Sequence, residues 1–427
     1  MKRLFGLILF FGFTTAVFSQ INVVGNHTVV SGVSGVNNVY IFDKIDNSSE
    51  IHYKSQSETS VVKWYIFLNG AKNEMTNVSV LSSTETYIDP VNNTGYILEV
   101  DGQQIASFWV FDYSQYLPLF NSVTAIDSDA PCDEVKLNVD ATISVFNYQS
   151  PTGAIYKLDR KFTVTYTTLE WNSDSKEWKE IASEETVVLP KASDLLLPIP
   201  YTNTTFTVSG DDFASLLGLS ASSVTSATYI TKAVKCNITS KTSTVRKDIL
   251  NEKDRPTEDS QLTGSAPLDI DFFSNPTPTA DTYIWKIFKD NSTSPLISRS
   301  AKDNTYPFTE AGKYTVTATT SNAYCSFSDT VFVEVSESSL VVPKVFTPND
   351  DDVQDEFKVA YRSIIKFNGL IVNRWGRKVF SWTDPGKGWN GKIGNKQAAE
   401  GTYFYIITAK GSEGKEYKLK GYVTLLR

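Results

Sequence analysis

The chain has 427 residues, of which 21 Tyr, 25 Phe and 8 Trp contrast with 2 Met, 2 His and 3 Cys, and its formal net charge is −8. That balance excludes a disordered tail, a disulfide-stapled miniprotein and a polybasic nucleic-acid binder. It also weighs against a His-rich metal centre. A composition rich in Tyr, Phe, Val, Ile and Thr predicts an all-β protein, and the length predicts roughly two to four domains.

Residues 1–19 divide as a secretory leader does. Lys2 and Arg3 form the charged start, Leu4 to Phe13 the apolar stretch, and Val17 and Ser19 the small residues that predict cleavage before Gln20. The apolar stretch is shorter than the ~20 residues of a spanning helix. With no Cys at the cleavage point, the pattern is not that of a lipoprotein.

Period-two alternation bounded by Asn, Gly, Ser and Asp clusters recurs along the mature chain. Val39 to Phe42, Val61 to Phe67, Tyr96 to Val100 and Ser107 to Phe111 read as strands of a first β-sandwich over 20–123. Asp101-Gly102 is a two-residue hairpin turn of the type that needs positive φ at both positions. A second, immunoglobulin-like sandwich is expected over 124–244. Its long hairpin, Lys161 to Trp171 and Trp178 to Leu189, would set Trp171 opposite Trp178. Those rings suit a cross-strand packing pair or a sugar-stacking platform, and the register favours the pair. A short helix is expected from Asp212, its predicted cap.

Cys132 and Cys236 lie at the two edges of this second segment and form the expected disulfide, with Cys325 unpaired and buried. Closing so long a loop stabilises by up to ~4–5 kcal/mol on loop-closure entropy. The alternative is two buried thiols that behave as small hydrophobes. Residues 245–261 are charged and nearly free of aromatics, which is linker composition.

Residues 262–338 carry Asp269 to Phe273, Tyr283-Ile284-Trp285, Gly312 to Val316 and Val331 to Val335. This stretch resembles the polycystic-kidney-disease (PKD) domain, an immunoglobulin-like fold of extracellular proteins, with Trp285 packed between the sheets. It departs from that family at Lys286-Ile287, where a Gly-Asp turn is usual.

The last segment, 339–427, differs in charge. From Val341 onward 15 Lys/Arg oppose 9 Asp/Glu, a net of +6; with Lys2 and Arg3 removed, residues 20–340 carry −16. Its motifs are Phe346-Thr347-Pro348-Asn349, Asp351, Asp355 and Phe357, then Asn373-Arg374-Trp375-Gly376, then Trp389 and Gly391. Gly401, Tyr403 and Tyr405 follow, with Gly421, Leu425 and Arg427 at the terminus. In this order they resemble the gliding-motility-associated C-terminal domain, the type B sorting domain of the type IX secretion system of Bacteroidota. The resemblance implies general secretion to the periplasm, then passage through an outer-membrane translocon with a SprF/PorP-like outer-membrane protein as partner. It departs at Asn349 to Asp355, where two glycines are replaced and the usual turn geometry is in question. Trp375, Phe380 and Trp389 are expected in the core of this domain, and the signal is expected to be a folded surface rather than a linear peptide. The oxygens of Asn349 to Glu356 would suit Ca²⁺ or simply Asx-type turns, and their spacing matches no EF-hand loop.

No nucleophile elbow, zinc-binding helix, phosphate loop or dinucleotide fingerprint is present. His27 and His52 read as solvated surface residues, and the adjacent acids Asp211-Asp212 and Glu184-Glu185 as a cap and a solvated face. No catalytic residue, metal ligand or nucleic-acid partner is assigned. The leading expectation is a non-enzymatic exported surface or secreted protein acting in adhesion or assembly, toward a glycan or protein ligand. The alternatives are a carbohydrate binder or glycan-active enzyme with its site in 20–244, or an accessory part of the type IX machinery.

Overall fold

The computed structural model describes residues 21–190, 194–256 and 262–427; the secretory leader expected at 1–19 lies outside them. The fold is a series of β-sandwiches. In the first, strands Ile21–Val24, Glu50–Lys54, Glu85–Ile88 and Ser79–Ser82 form one sheet. The facing sheet runs His27–Ser31, Asn38–Phe42, Gln103–Asp112, Thr94–Val100, Val62–Leu68 and Ala71–Glu74. Val100 pairs with Gln103 across Asp101 and Gly102, whose φ values of 51° and 78° are those the hairpin turn requires.

Alternation fails in Asn38–Phe42 and over residues 106–112 of Gln103–Asp112, where nearly every side chain is buried. The reason is that the six-stranded sheet is covered on both faces. Tyr40, Phe42, Trp64 and Phe108 face the partner sheet. Val39, Ile41, Trp109 and Phe111 face a hairpin, Phe146–Gln149 with Ile155–Leu158, and the short helix Asp212–Leu216, both contributed by the second segment. The second sandwich packs Leu119–Asp127, Glu134–Thr142 and Asp194–Pro198 against a sheet built on the 13-residue hairpin strands Arg160–Asn172 and Glu177–Leu189. Strand Leu119–Asp127 thus runs through residue 123, where the boundary was expected.

The junction holds a buried ion pair. Arg160 Nε donates to Asp211 Oδ2 at 2.5 Å, with the two side chains 1% and 0% exposed. The other oxygen of Asp211 accepts from the Tyr113 hydroxyl at 2.7 Å and from the Ala214 amide at 3.0 Å. Asp211, not Asp212, is therefore the helix N-cap, because its carboxylate turns inward to the guanidinium and still reaches the first-turn amide.

The third sandwich joins Thr239–Thr242, Leu268–Phe273 and Asp303–Phe308 in one sheet, facing Thr263–Gly264, Ser326–Val335, Gly312–Ser321, Thr282–Lys289 and Ile297–Arg299. Trp285 is fully buried between them. Thr239–Thr242 pairs with Leu268–Phe273, so it belongs to this sandwich and not to the second segment. In the last domain, Val345–Phe346 runs parallel to Glu416–Leu425, followed across the sheet by Gly401–Gly411, Ile364–Val372 and Lys378–Trp382.

Residues 245–256 are a strap rather than a slack linker. Arg246 grips both carboxylate oxygens of Glu252 at 2.8 and 2.9 Å and donates to the Pro267 and Ser265 carbonyls of the third sandwich. Asn251 donates to the Val359 and Pro385 carbonyls, and Ile249 packs on the last domain's core. Charged composition concealed this, because the charges are spent on each other and on backbone groups.

Asp211→Asn leaves the Arg160 guanidinium buried without its counter-charge and should lower unfolding stability by about 3–5 kcal/mol. The double replacement Arg160→Met with Asp211→Leu should cost clearly less; denaturant unfolding followed by Trp fluorescence distinguishes the two.

Candidate functional site: the C-terminal domain and the junction chemistry

The motif residues of the last domain converge on one core and one surface. Phe346, Phe357, Trp389 and Leu425 are fully buried, with Trp389 centred 5.3 Å from Phe346 and 4.9 Å from Tyr403. The Trp389 indole donates to the Lys392 carbonyl at 2.7 Å, and the Tyr403 hydroxyl to the Ala399 carbonyl at 2.8 Å. Gly421 leaves room for the Tyr405 ring, whose hydroxyl would lie 2.4 Å from an added Cβ. Arg427 closes the fold by donating to the Ala398 and Gly391 carbonyls. The Thr347 amide donates to the Gln354 carbonyl at 2.9 Å and its hydroxyl to the Val353 carbonyl at 3.4 Å.

Trp375 departs from expectation. It is 77% exposed, whereas Trp389 is buried and Phe380 packs at the core edge. The Asn373 side chain accepts from the Trp375 and Arg377 amides at 3.1 and 3.0 Å, which closes a tight turn with Gly376 at φ 77°. The turn thrusts the indole outward, with the Arg374 guanidinium 4.9 Å from its ring. The turn and Gly401 to Phe404 together rim a shallow concavity of about 470 Å³ with Ile393 and Glu400. Phe404 and Tyr422, paired across adjacent strands, are also exposed on the outer sheet face. The signal available in the sequence was local: an aromatic inside Asn-Arg-Trp-Gly-Arg-Lys, with charge on both sides.

In the acidic loop, Asp350, Asp352 and Gln354 take positive φ of 61°, 63° and 57°. The Asp355 carboxylate makes these conformations tenable by accepting from the Asn349, Asp350 and Asp352 amides at 2.7–2.9 Å. Asp351 accepts from the Asn349 side-chain amide and then from the Val353 backbone amide, which hold its carboxyl below the usual range. These oxygens serve the turn. Among the described residues no group of three or more His, Cys, Asp or Glu is placed to hold a metal.

The disulfide expectation is corrected. Cys132 is bonded to Cys325, 193 residues away, and Cys236 is the free cysteine. Cys236 faces the third sandwich's core, where burial pushes its thiol up to about 12. Cys325 instead sits on the turn between Gly312–Ser321 and Ser326–Val335, against the Pro131-Cys132 loop. The bridge therefore joins two domains. Across the same two domains Trp178 donates to the Asn275 carbonyl at 2.8 Å, and next to Cys325 Asn322 donates to the Lys232 carbonyl at 2.9 Å. Trp171 and Trp178 meet edge to face at 5.4 Å; with its N–H committed across the junction, this is a packing pair.

Two acid–base clusters remain. His52 is 9% exposed, not solvated, and its two ring nitrogens contact Glu85 at 3.0 Å and Glu50 at 2.7 Å while it stacks on Tyr87. Burial opposes its charge, but the two carboxylates outweigh that and raise its pKa. With both nitrogens engaged it has no lone pair free to act as a base. Asp212, whose carboxyl burial raises, lines a concavity of about 540 Å³ with Lys161, Ser209 and Ser215. The neighbouring Asp211 is committed to Arg160, so the opposed carboxylate pair of a glycosidase is not formed there.

Residues 340–425 match the family described as the CHU_C type IX secretion signal domain, and residues 124–226 match a fibronectin type III domain family. The last domain is thus a type IX secretion signal, which directs export across the outer membrane, and residues 124–226 are fibronectin type III-like. No curated protein matches the chain. Among solved structures it is similar to a tetra-tandem repeat in the extending region of a large adhesion protein, at 11% identity over 91% of this chain and 98% of that one, with a TM-score of 0.22. It is also similar to Sidekick-1 immunoglobulin domains 1–5, at 10% identity over 93% and 80% of the two chains and a TM-score of 0.23. A third likeness is to a Ca²⁺-stabilized adhesin that helps an Antarctic bacterium reach out and bind ice, at 10% identity, 93% and 100% coverage and a TM-score of 0.20. Among the described residues no helix is long and apolar enough to cross a membrane.

Thiol titration checks the revised pairing: the native protein should present no fast-reacting thiol, denaturation should release one, and denaturation with reductant three. A single fast thiol in the native protein would contradict it. The raised His52 pKa stabilises the first sandwich fully below about pH 6.5, and that contribution is lost as pH rises through the higher folded-state value. Melting temperature should fall over that window in the wild type and stay flatter in His52→Gln.

Proposed function

We propose that this chain is a non-enzymatic surface or secreted protein, carried to the periplasm by its leader and across the outer membrane by residues 339–427, and acting there in adhesion or surface assembly. The observation that carries the reading is the C-terminal signal domain at 340–425, in which the motif residues Phe346, Phe357, Trp389, Tyr403 and Leu425 share one core. Its partners on this route are the type IX translocon and a SprF/PorP-like outer-membrane protein. The third sandwich, with Trp285 at its centre, serves as a PKD-like spacer between the signal domain and the modules that meet a ligand. The junctions support a mechanical role: a shared core, a buried ion pair, a disulfide and a strap each bind one sandwich to the next.

The secretion route is tested by Trp389→Ala, which opens a large void in the signal-domain core and should cost about 3–5 kcal/mol in that domain. The variant should accumulate in the periplasm and be absent from the surface and medium. A variant delivered like wild type refutes a folded signal. Turnover of a glycan by residues 20–244 would refute the non-enzymatic part alone, and general loss of other cargo in a knockout would assign the chain to the machinery.

A further inference from the structure

Two turns at one end of the signal domain each lift an apolar side chain into solvent, inside a ring of cations. Trp375 is 77% exposed between Arg374 and the exposed pair Arg377 and Lys378. Ile393, 45% exposed, stands on the hairpin of Lys392–Ile393 with Lys396–Gln397. Both line the same concavity, so the two tips are neighbours. Among the described residues none of these five cations is in a salt bridge, whereas Lys358, Arg362 and Lys418 elsewhere in the domain are. Seven further Lys and Arg of the domain are likewise unbridged, so it is the clustering around two exposed apolar side chains that sets these five apart. The one acid on the rim is Glu400.

We propose that this end of the domain docks on an anionic lipid surface, with Trp375 and Ile393 entering the headgroup boundary and Arg374, Arg377, Lys378, Lys392 and Lys396 meeting phosphates. Trp at the boundary with Lys and Arg around it is the pattern that membrane interfaces select, since the ring is amphipathic and the long stems let the charges stay at the phosphate level. The core of a protein–protein interface instead is depleted in Lys and seats its aromatic anchors in matching pockets. These tips carry three lysines, Lys378, Lys392 and Lys396, beside two arginines. Charge separation orients the molecule as well: residues 20–340 carry −16 and are repelled by an anionic surface, so the +6 domain is the end that approaches. This inference is independent of the translocon reading, since it concerns what the folded domain touches.

The test uses the full chain without its leader, co-sedimented with phosphatidylglycerol/phosphatidylcholine vesicles and with phosphatidylcholine alone. Binding should require the anionic lipid and weaken as salt rises, as phosphate contacts do. At about 1 kcal/mol per basic residue, Lys392→Glu with Lys396→Glu should reduce partitioning by about tenfold or more. Trp375→Ala should reduce it by about tenfold through lost insertion. Both changes lie at exposed positions, so unchanged melting curves separate lost binding from lost folding. Absence of binding, equal binding to neutral vesicles, or insensitivity to either change overturns the proposal. So does a Trp375→Ala protein that keeps vesicle binding but fails to reach the surface, an outcome that assigns the tips to a protein partner.

Discussion

The buried pair of Arg160 and Asp211 is the constraint on which the N-terminal half depends. Taking two charges out of water is costly, and the cost is offset only as far as their remaining polar atoms find partners. Here Asp211 also caps the helix and accepts from Tyr113 of the first sandwich, while Arg160 Nη1 donates to the Ser144 carbonyl at 2.8 Å; its buried Nη2 has no hydrogen-bond partner, and the guanidinium lies over the Phe146 ring at 5.0 Å. One carboxylate thus couples a strand, a helix and a neighbouring domain. If the hairpin carrying Phe146 moved away, the sheet face of Trp109 and Phe111 would be opened to water together with the ion pair.

The same logic repeats along the chain with different chemistry. Between the second and third sandwiches the joint is covalent, from Cys132 to Cys325, and the Trp178 and Asn322 hydrogen bonds cross the same pair of domains. Between the third and the signal domain it is polar: the Ser363 amide donates to Ser265 Oγ, the Ser363 hydroxyl to the Ser336 carbonyl, and Arg362 pairs with Asp254. Small sandwiches have small cores, and joining them by fixed contacts lets neighbours support one another.

Much of the local structure is legible along the chain. Alternation, the Asp101-Gly102 turn and the Trp171–Trp178 register follow from period and turn chemistry, which act over a few residues. The signal-domain motifs are legible too, and most of them prove to be core and turn positions. What was misread depends on distant neighbours. His52 looked solvated because Glu85, which closes over it, is 33 residues away. Cys236 looked available for pairing because nothing nearby shows that its segment, which only bridges to Pro276, turns the thiol into another sandwich's core. Trp375 looked like core because an indole usually is, and only the Asn373 turn reverses it.

The sequence by itself determined that this is a β-sandwich chain with an acidic body, a basic C-terminal domain and a type IX signal, because those properties are composition, period and local motif. The tertiary structure alone decided which cysteines meet, that a second-segment hairpin completes the first sandwich's core, and which tryptophan faces solvent. Each of those outcomes is set by surfaces brought together from far apart in the chain, where burial and hydrogen-bond satisfaction are settled between partners that no local pattern records.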